Sequence, residues 1–265
     1  MKMYQELLKL NQNKIKDFFK NSKLFNNQFE FSNLNSKCYN HMFLNNGAVN
    51  IKTVKQLKDE IPQLKSLCSQ CGKFFMNPRN NSVKGLDVQM GIFLEDIIID
   101  YLNKNFRIKA MHADKKDKRY PDCMILNTDR GILAYFEVKY HAAPFITAIH
   151  KINRYCYEGS ATLDYKKIIK QLELIESDLD RPTFYLHWID YPCLKGLFFE
   201  TSEQVKQNLY NSGEEFERKE RSGDYNIIHK VGYTKKFYSP LLEMGTFEEF
   251  ISIIKDMKKN GIKTH

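Results

Sequence analysis

The spacing of apolar positions changes character at residue 86. The stretch "LDVQMGIFLEDIIIDYLNKNF" (86–106) repeats apolar residues at helical intervals, which predicts a buried helix of about 16 to 20 residues. "FRIKAMHA" alternates and predicts a strand, and "HADKKDKRYP" reads as a charged turn. "CMIL" and "ILAYFEVKY" are short β-branched or aromatic runs separated by "NTDRG", a strand–turn–strand pattern. "TLDYKKIIKQLELIESDL" predicts a second helix, capped by Thr162 or Asp164 and stopped by "DRP". "TFYLHWID" and "LKGLFFE" then predict further strands.

Helix, three strands, helix and one or two strands imply an α/β (α+β) core with a mixed central sheet flanked by helices. Residues 1–85 are Asn- and Lys-rich, with weak helical periodicity and an amphipathic start, "MKMYQELLKLNQNKIKDFF". They predict a mostly helical N-terminal extension, closed by a boundary loop at "NPRNNSVKG". Residues 86–200 form the expected core. Residues 201–265 extend it with the charged stretch "NSGEEFERKERSGDY" and a final helix, "TFEEFISIIKDMKKN".

Composition narrows the functional classes. Hydrophobic residues make up 42% of the 265, including 19 Phe and 15 Tyr, enough for a packed core. The formal net charge is +9, so an anionic partner is expected, most often nucleic acid. No apolar run approaches the roughly 20 residues that span a bilayer, and the N-terminus has no signal-peptide core. A cytoplasmic location is the expectation, with the six cysteines reduced.

The candidate chemistry lies on the strands. Alternate residues share a face of a strand, so Glu137, Lys139 and His141 point one way and Phe136, Val138 and Tyr140 the other. A hairpin brings Asp122 beside Glu137. Two carboxylates at that range repel one another unless a cation lies between them, and carboxylate oxygens suit Mg²⁺. On the preceding helix Glu95 shares a face with Gly91, Ile98 and Leu102. An inward Glu there needs a partner or a metal, and is positioned to add a third carboxylate.

These residues resemble the PD-(D/E)xK nuclease superfamily. Pro121-Asp122, fourteen intervening residues (123–136) and Glu137-Val138-Lys139 match its signature. The upstream helical Glu95 and the downstream helix with Lys167 and Gln171 one turn apart match its context. The likeness covers roughly residues 86–190 and implies a restriction-endonuclease-like core in a bacterial cytoplasm. It implies one or two Mg²⁺ ions held by Asp122, Glu137, the Val138 carbonyl and Glu95, with Lys139 as the water-orienting base. Lys167 and Gln171 are then expected near the scissile phosphate, or else on an exposed helix face. His141 either touches phosphate or bonds backbone at the strand end.

The function implied is that of a type II restriction endonuclease cutting double-stranded DNA to 5′-phosphate and 3′-hydroxyl ends. A homodimer and a cognate DNA methyltransferase are the expected partners. Two alternatives stay open: a repair or junction-resolving nuclease on the same fold, and a DNA-binding protein without cleavage.

A second constellation pairs Cys38 and His41 with Cys68 and Cys71. Both short spacings suit a structural Zn²⁺. The competing reading has the thiols packed on a continuing helix. Cys123, Cys156 and Cys193 show no ligand spacing and are expected in the core. Arg79, Asn80, Asn81 and Lys84 form a polar cluster suited to base edges or to a plain linker.

Overall fold

The computed structural model describes residues 1–22, 31–40, 58–67, 86–113, 119–127, 131–141, 161–212, 216–219 and 233–260. The boundary loop at 77–85 lies outside them, as do residues 114–118 of the charged turn. The first described elements are helices α1 (Lys2–Leu10), α2 (Gln12–Ser22) and α3 (Asn33–Tyr39), and residues 58–60 and 63–67 are helical as well. Helix α4 (Leu86–Phe106) leads into strands β1 (Lys109–His112), β2 (Cys123–Leu126) and β3 (Ile132–His141). Next come β4 (Ala161–Asp164), α5 (Tyr165–Leu174) and a π-helical turn (Ile175–Leu179). The chain continues through β5 (Thr183–Asp190), β6 (Lys195–Thr201), α6 (Ser202–Ser212), β7 (Phe216–Lys219) and β8 (Tyr233–Ser239). It ends with β9 (Gly245–Thr246) and α7 (Phe247–Asn260).

The architecture is a mixed α/β one. A central six-stranded sheet runs β1-β2-β3-β5-β6-β9, and a second sheet runs β4-β8-β7. β3 and β5 are parallel, while the other pairings among the described residues are antiparallel. Parallel neighbours need a crossover, usually helical; here it contains α5, which packs on one face of the central sheet.

The two faces differ. Phe136, Val138, Leu186, Trp188 and Phe199 join the largest apolar cluster, with residues of α1, α4 and α7. Trp188 is fully buried and meets Tyr4 of α1 edge-on, with ring centroids 5.8 Å apart. Phe250 of α7 packs against Phe136, Phe184 and Phe199. Each aromatic side chain buried this way stabilises by about 1.5–3 kcal/mol. On the other face Tyr185 packs with Ile168 and Leu172 of α5, Val205 of α6 and Phe237 of β8.

Two expectations for the second helix need correcting. The helix begins at Tyr165, because "ATLD" is strand β4: Leu163 and Ala161 are buried on one side, and Thr162 pairs with Tyr238. Four residues are too few for periodicity to separate a strand from a helix start. Asp164 occupies the N-cap position, but its side chain makes no capping bond. The stop at "DRP" is as read, since Asp180 turns left-handed (φ 42°) after the π-helical turn.

Contacts cross both sequence boundaries. Helix α1 packs into the cluster of α4, and β8 pairs with β4. The C-terminal stretch contains α6 and two strands of the second sheet besides the final helix.

Candidate active site

Strand β3 carries the site. Its register pairs Glu137 with Tyr185, and Cys123 with Phe136, so Asp122 sits just before β2 beside Glu137. The Asp122 backbone N–H donates to Glu137 Oε2 at 3.0 Å. Lys139, two residues along the same face, donates to Oε1. From α5, Lys167 Nζ reaches Oε1 at 3.0 Å and Gln171 Nε2 reaches Oε2 at 3.2 Å. One helical turn separates Lys167 from Gln171, so a single face of α5 presents both. Tyr185 holds Gln171 in turn, its hydroxyl donating to Oε1 at 3.0 Å.

Glu137 is fully buried, yet four donors converge on its carboxylate. Burial alone pushes its pKa up; Lys139 and Lys167 overcome that and hold it at about 2. For Lys167, burial pulls the pKa down, but Glu137 and Asp122 raise it above the usual lysine value. Asp122 therefore shares the field of the same cluster. The Tyr185 hydroxyl is pushed up by burial and by Glu137 and Glu200.

Gln171 is fully buried, which overturns the exposed-face reading for that residue; Lys167 is half exposed. His141 lies on the same face as Lys139. Its Nε2 meets His187 Nδ1 at 3.0 Å, and His187 Nε2 meets Glu200 Oε1 at 2.8 Å. Asn208 of α6 donates to the other Glu200 oxygen at 3.3 Å. His141 is thus joined to a side-chain relay that the strand-end backbone reading did not foresee. With Glu200 accepting the Nε2 proton, His187 Nδ1 is left to accept from His141. His187 and Glu200 are both buried. The sequence signal for them was a polar residue at mid-strand in "TFYLHWID" and at the end of "LFFE".

Glu95 is placed differently from its expected grouping. It is buried, and its Oε2 lies 3.2 Å from His112 Nδ1. Helix α4 packs on the face that carries Cys123, Phe136 and Val138, opposite Glu137. The helical repeat revealed that Glu95 points inward, but not against which face of the sheet. Of the proposed zinc ligands, Cys38 is buried among Tyr39, Ile61 and Leu64. His41, Cys68 and Cys71 lie outside the described residues, as do Cys156 and the cluster Arg79, Asn80, Asn81 and Lys84. Cys123 and Cys193 are core residues, as expected.

No protein-family model matches the chain, and no curated protein matches it. Among solved structures, D212, a nuclease from a fusselovirus, is similar with a TM-score of 0.37 and 10% identity. The match covers 67% of this chain and 95% of that one. So loose a likeness carries no function across. Among the described residues no helix is long and apolar enough to cross a membrane.

Proposed function

We propose that the protein is a metal-dependent nuclease whose centre is Glu137 with Asp122 and Lys139. More narrowly, we read it as a type II restriction endonuclease that cuts double-stranded DNA and leaves 5′-phosphate and 3′-hydroxyl ends. The observation that carries this reading is the convergence of Lys139, Lys167, Gln171 and the Asp122 amide on one buried carboxylate. A buried anion is costly without strong compensation. Two lysines that reach solvent are an expensive way to stabilise a core, and a useful way to hold a reactive carboxylate anionic.

The donor set fits Mg²⁺. Asp122 and Glu137 offer hard carboxylate oxygens, and the Val138 carbonyl follows Glu137 in sequence. When bound, Mg²⁺ would offset charge developing at phosphorus and on the leaving oxygen. The chain's own groups do the rest. Lys139, next to Glu137, orients the attacking water and offsets the negative charge that develops as it attacks. Lys167 is half exposed and meets a non-bridging phosphate oxygen. Gln171, pinned by Tyr185, fixes the Glu137 carboxylate plane. The net charge of +9 favours a polyanionic substrate. A two-fold homodimer would match palindromic cutting, and a cognate methyltransferase would protect host DNA.

Digestion of linear duplex DNA of known sequence with Mg²⁺, followed by end mapping, tests this. Discrete sequence-dependent fragments support the restriction reading. Cutting confined to branches or lesions would point to a repair nuclease, and Mg²⁺-independent binding without cutting to a DNA-binding protein.

A further inference from the structure

A second set of metal-ligating side chains lies behind β2, across the sheet from Glu137. The Glu95 carboxylate, His112 imidazole and Cys123 thiol each offer a ligand atom, and all three atoms lie within 4.8 Å of one another. They come from three elements: α4, the end of β1 and the start of β2. The register makes His112 and Cys123 direct partners in the β1–β2 ladder, so both side chains share a face. Helix α4 lays Glu95 over that pair.

We propose that Glu95, His112 and Cys123 form a binding site for a borderline-soft divalent cation of the Zn²⁺ class. One sulfur, one nitrogen and one oxygen suit that class, whereas Mg²⁺ does not take thiolate ligands. In a tetrahedral zinc site ligand atoms sit about 3.3–3.8 Å apart. The 3.2 Å between Glu95 Oε2 and His112 Nδ1 is already near that range, and small side-chain rotations close the rest.

The surroundings of His112 support the assignment independently. Its Nε2 meets Asp96 Oδ1 at 2.7 Å. A zinc-binding histidine typically donates its second ring N–H to a carboxylate, which fixes the tautomer and the ring orientation. With Asp96 as that carboxylate, a metal would take Nδ1, which lies 3.2 Å from Glu95 Oε2. Cys123 and Glu95 are buried while His112 is 42% exposed. Three protein ligands with one side open to solvent leave a fourth position for water.

The site does not depend on the nuclease reading. It would clip α4 to β1 and β2 at the residue after Asp122, and so hold the start of β2 in place.

Cobalt and zinc binding to the full chain tests the proposal. Co²⁺ should give a thiolate-to-cobalt charge-transfer band, and one Zn²⁺ per chain should displace it. Cys123→Ser should abolish the band. His112→Gln, at a half-exposed position, should weaken Zn²⁺ binding at least about 10-fold while keeping the native circular dichroism. A Cys68→Ser/Cys71→Ser double variant should keep the band that Cys123→Ser removes. A band or zinc affinity unchanged in both Cys123→Ser and His112→Gln would overturn the site. So would a wild-type chain that binds neither metal, or binds them only through Cys68 and Cys71.

Discussion

Two buried carboxylate–lysine pairs occupy opposite faces of the central sheet, and they behave differently. Asp190, at the end of β5, pairs with Lys195 across the β5–β6 ladder and accepts from the Tyr140 hydroxyl at 2.9 Å. Both charged residues are buried, and Lys195 is only 5% exposed. Burial dominates there and raises the Asp190 pKa, against Lys195 and Tyr140. Glu137 is buried just as fully, but two lysines outweigh its burial and hold it low. Its lysines also reach solvent, 21% exposed for Lys139 and 47% for Lys167. The pair at Asp190 is closed and serves packing. The cluster at Glu137 is open on one side, where Lys139 and Lys167 meet solvent. Burial of the carboxylate does not separate the two clusters; the exposure of the lysines does.

The largest expected break in this comparison is catalytic. Glu137→Gln and Asp122→Ala should each lower cleavage at least about 100-fold while leaving DNA binding largely intact. Asp190→Asn should leave cleavage per folded molecule within about threefold, as read by rates normalised to folded protein.

Stability should reverse the order. Asp190→Asn leaves Lys195 buried without its counter-charge, at a cost of about 3–5 kcal/mol by chemical denaturation. Glu137→Gln should cost less, because Lys139 and Lys167 can turn to water.

The pH dependence separates the two groups by sign. Glu137 falls from 4.5 to about 2 on folding, so its contribution is full above about pH 4.5 and is lost as pH drops towards 2. The shift corresponds to a stabilisation on the order of 3 kcal/mol. Asp190 has a raised pKa, so it favours the folded state as it takes up a proton. Denaturation across pH 2–5 should show a flatter acid limb for Glu137→Gln and a steeper one for Asp190→Asn. Equal acid limbs in both variants would count against the assigned shifts. The smallest effect belongs to Tyr185→Phe, which frees Gln171 Oε1. It should cost about 1 kcal/mol in stability, with cleavage falling only a few-fold.

Much of this arrangement was legible in the chain. Period-2 alternation in "YFEVKYH" already put Glu137, Lys139 and His141 on one face, and the hairpin brought Asp122 to them. The four-residue gap between Lys167 and Gln171 told that they share a helix face. What escaped was tertiary. Which face of the sheet a helix covers is decided by its packing, so the helical repeat did not reveal that Glu95 lies beside His112 and Cys123. The pairing of "ATLD" with β8 spans about 70 residues of sequence, and no local pattern announces so distant a partner. The relay through His187 and Glu200 depends on the β3–β5–β6 order, which only the assembled sheet reveals.

The most direct test compares wild type, Glu137→Gln and Asp190→Asn on one linear duplex with Mg²⁺, with binding measured in parallel without metal. All three should bind, wild type and Asp190→Asn should cut at similar rates per folded molecule, and Glu137→Gln should not cut. Cleavage by Glu137→Gln at the wild-type rate would contradict the role given to Glu137.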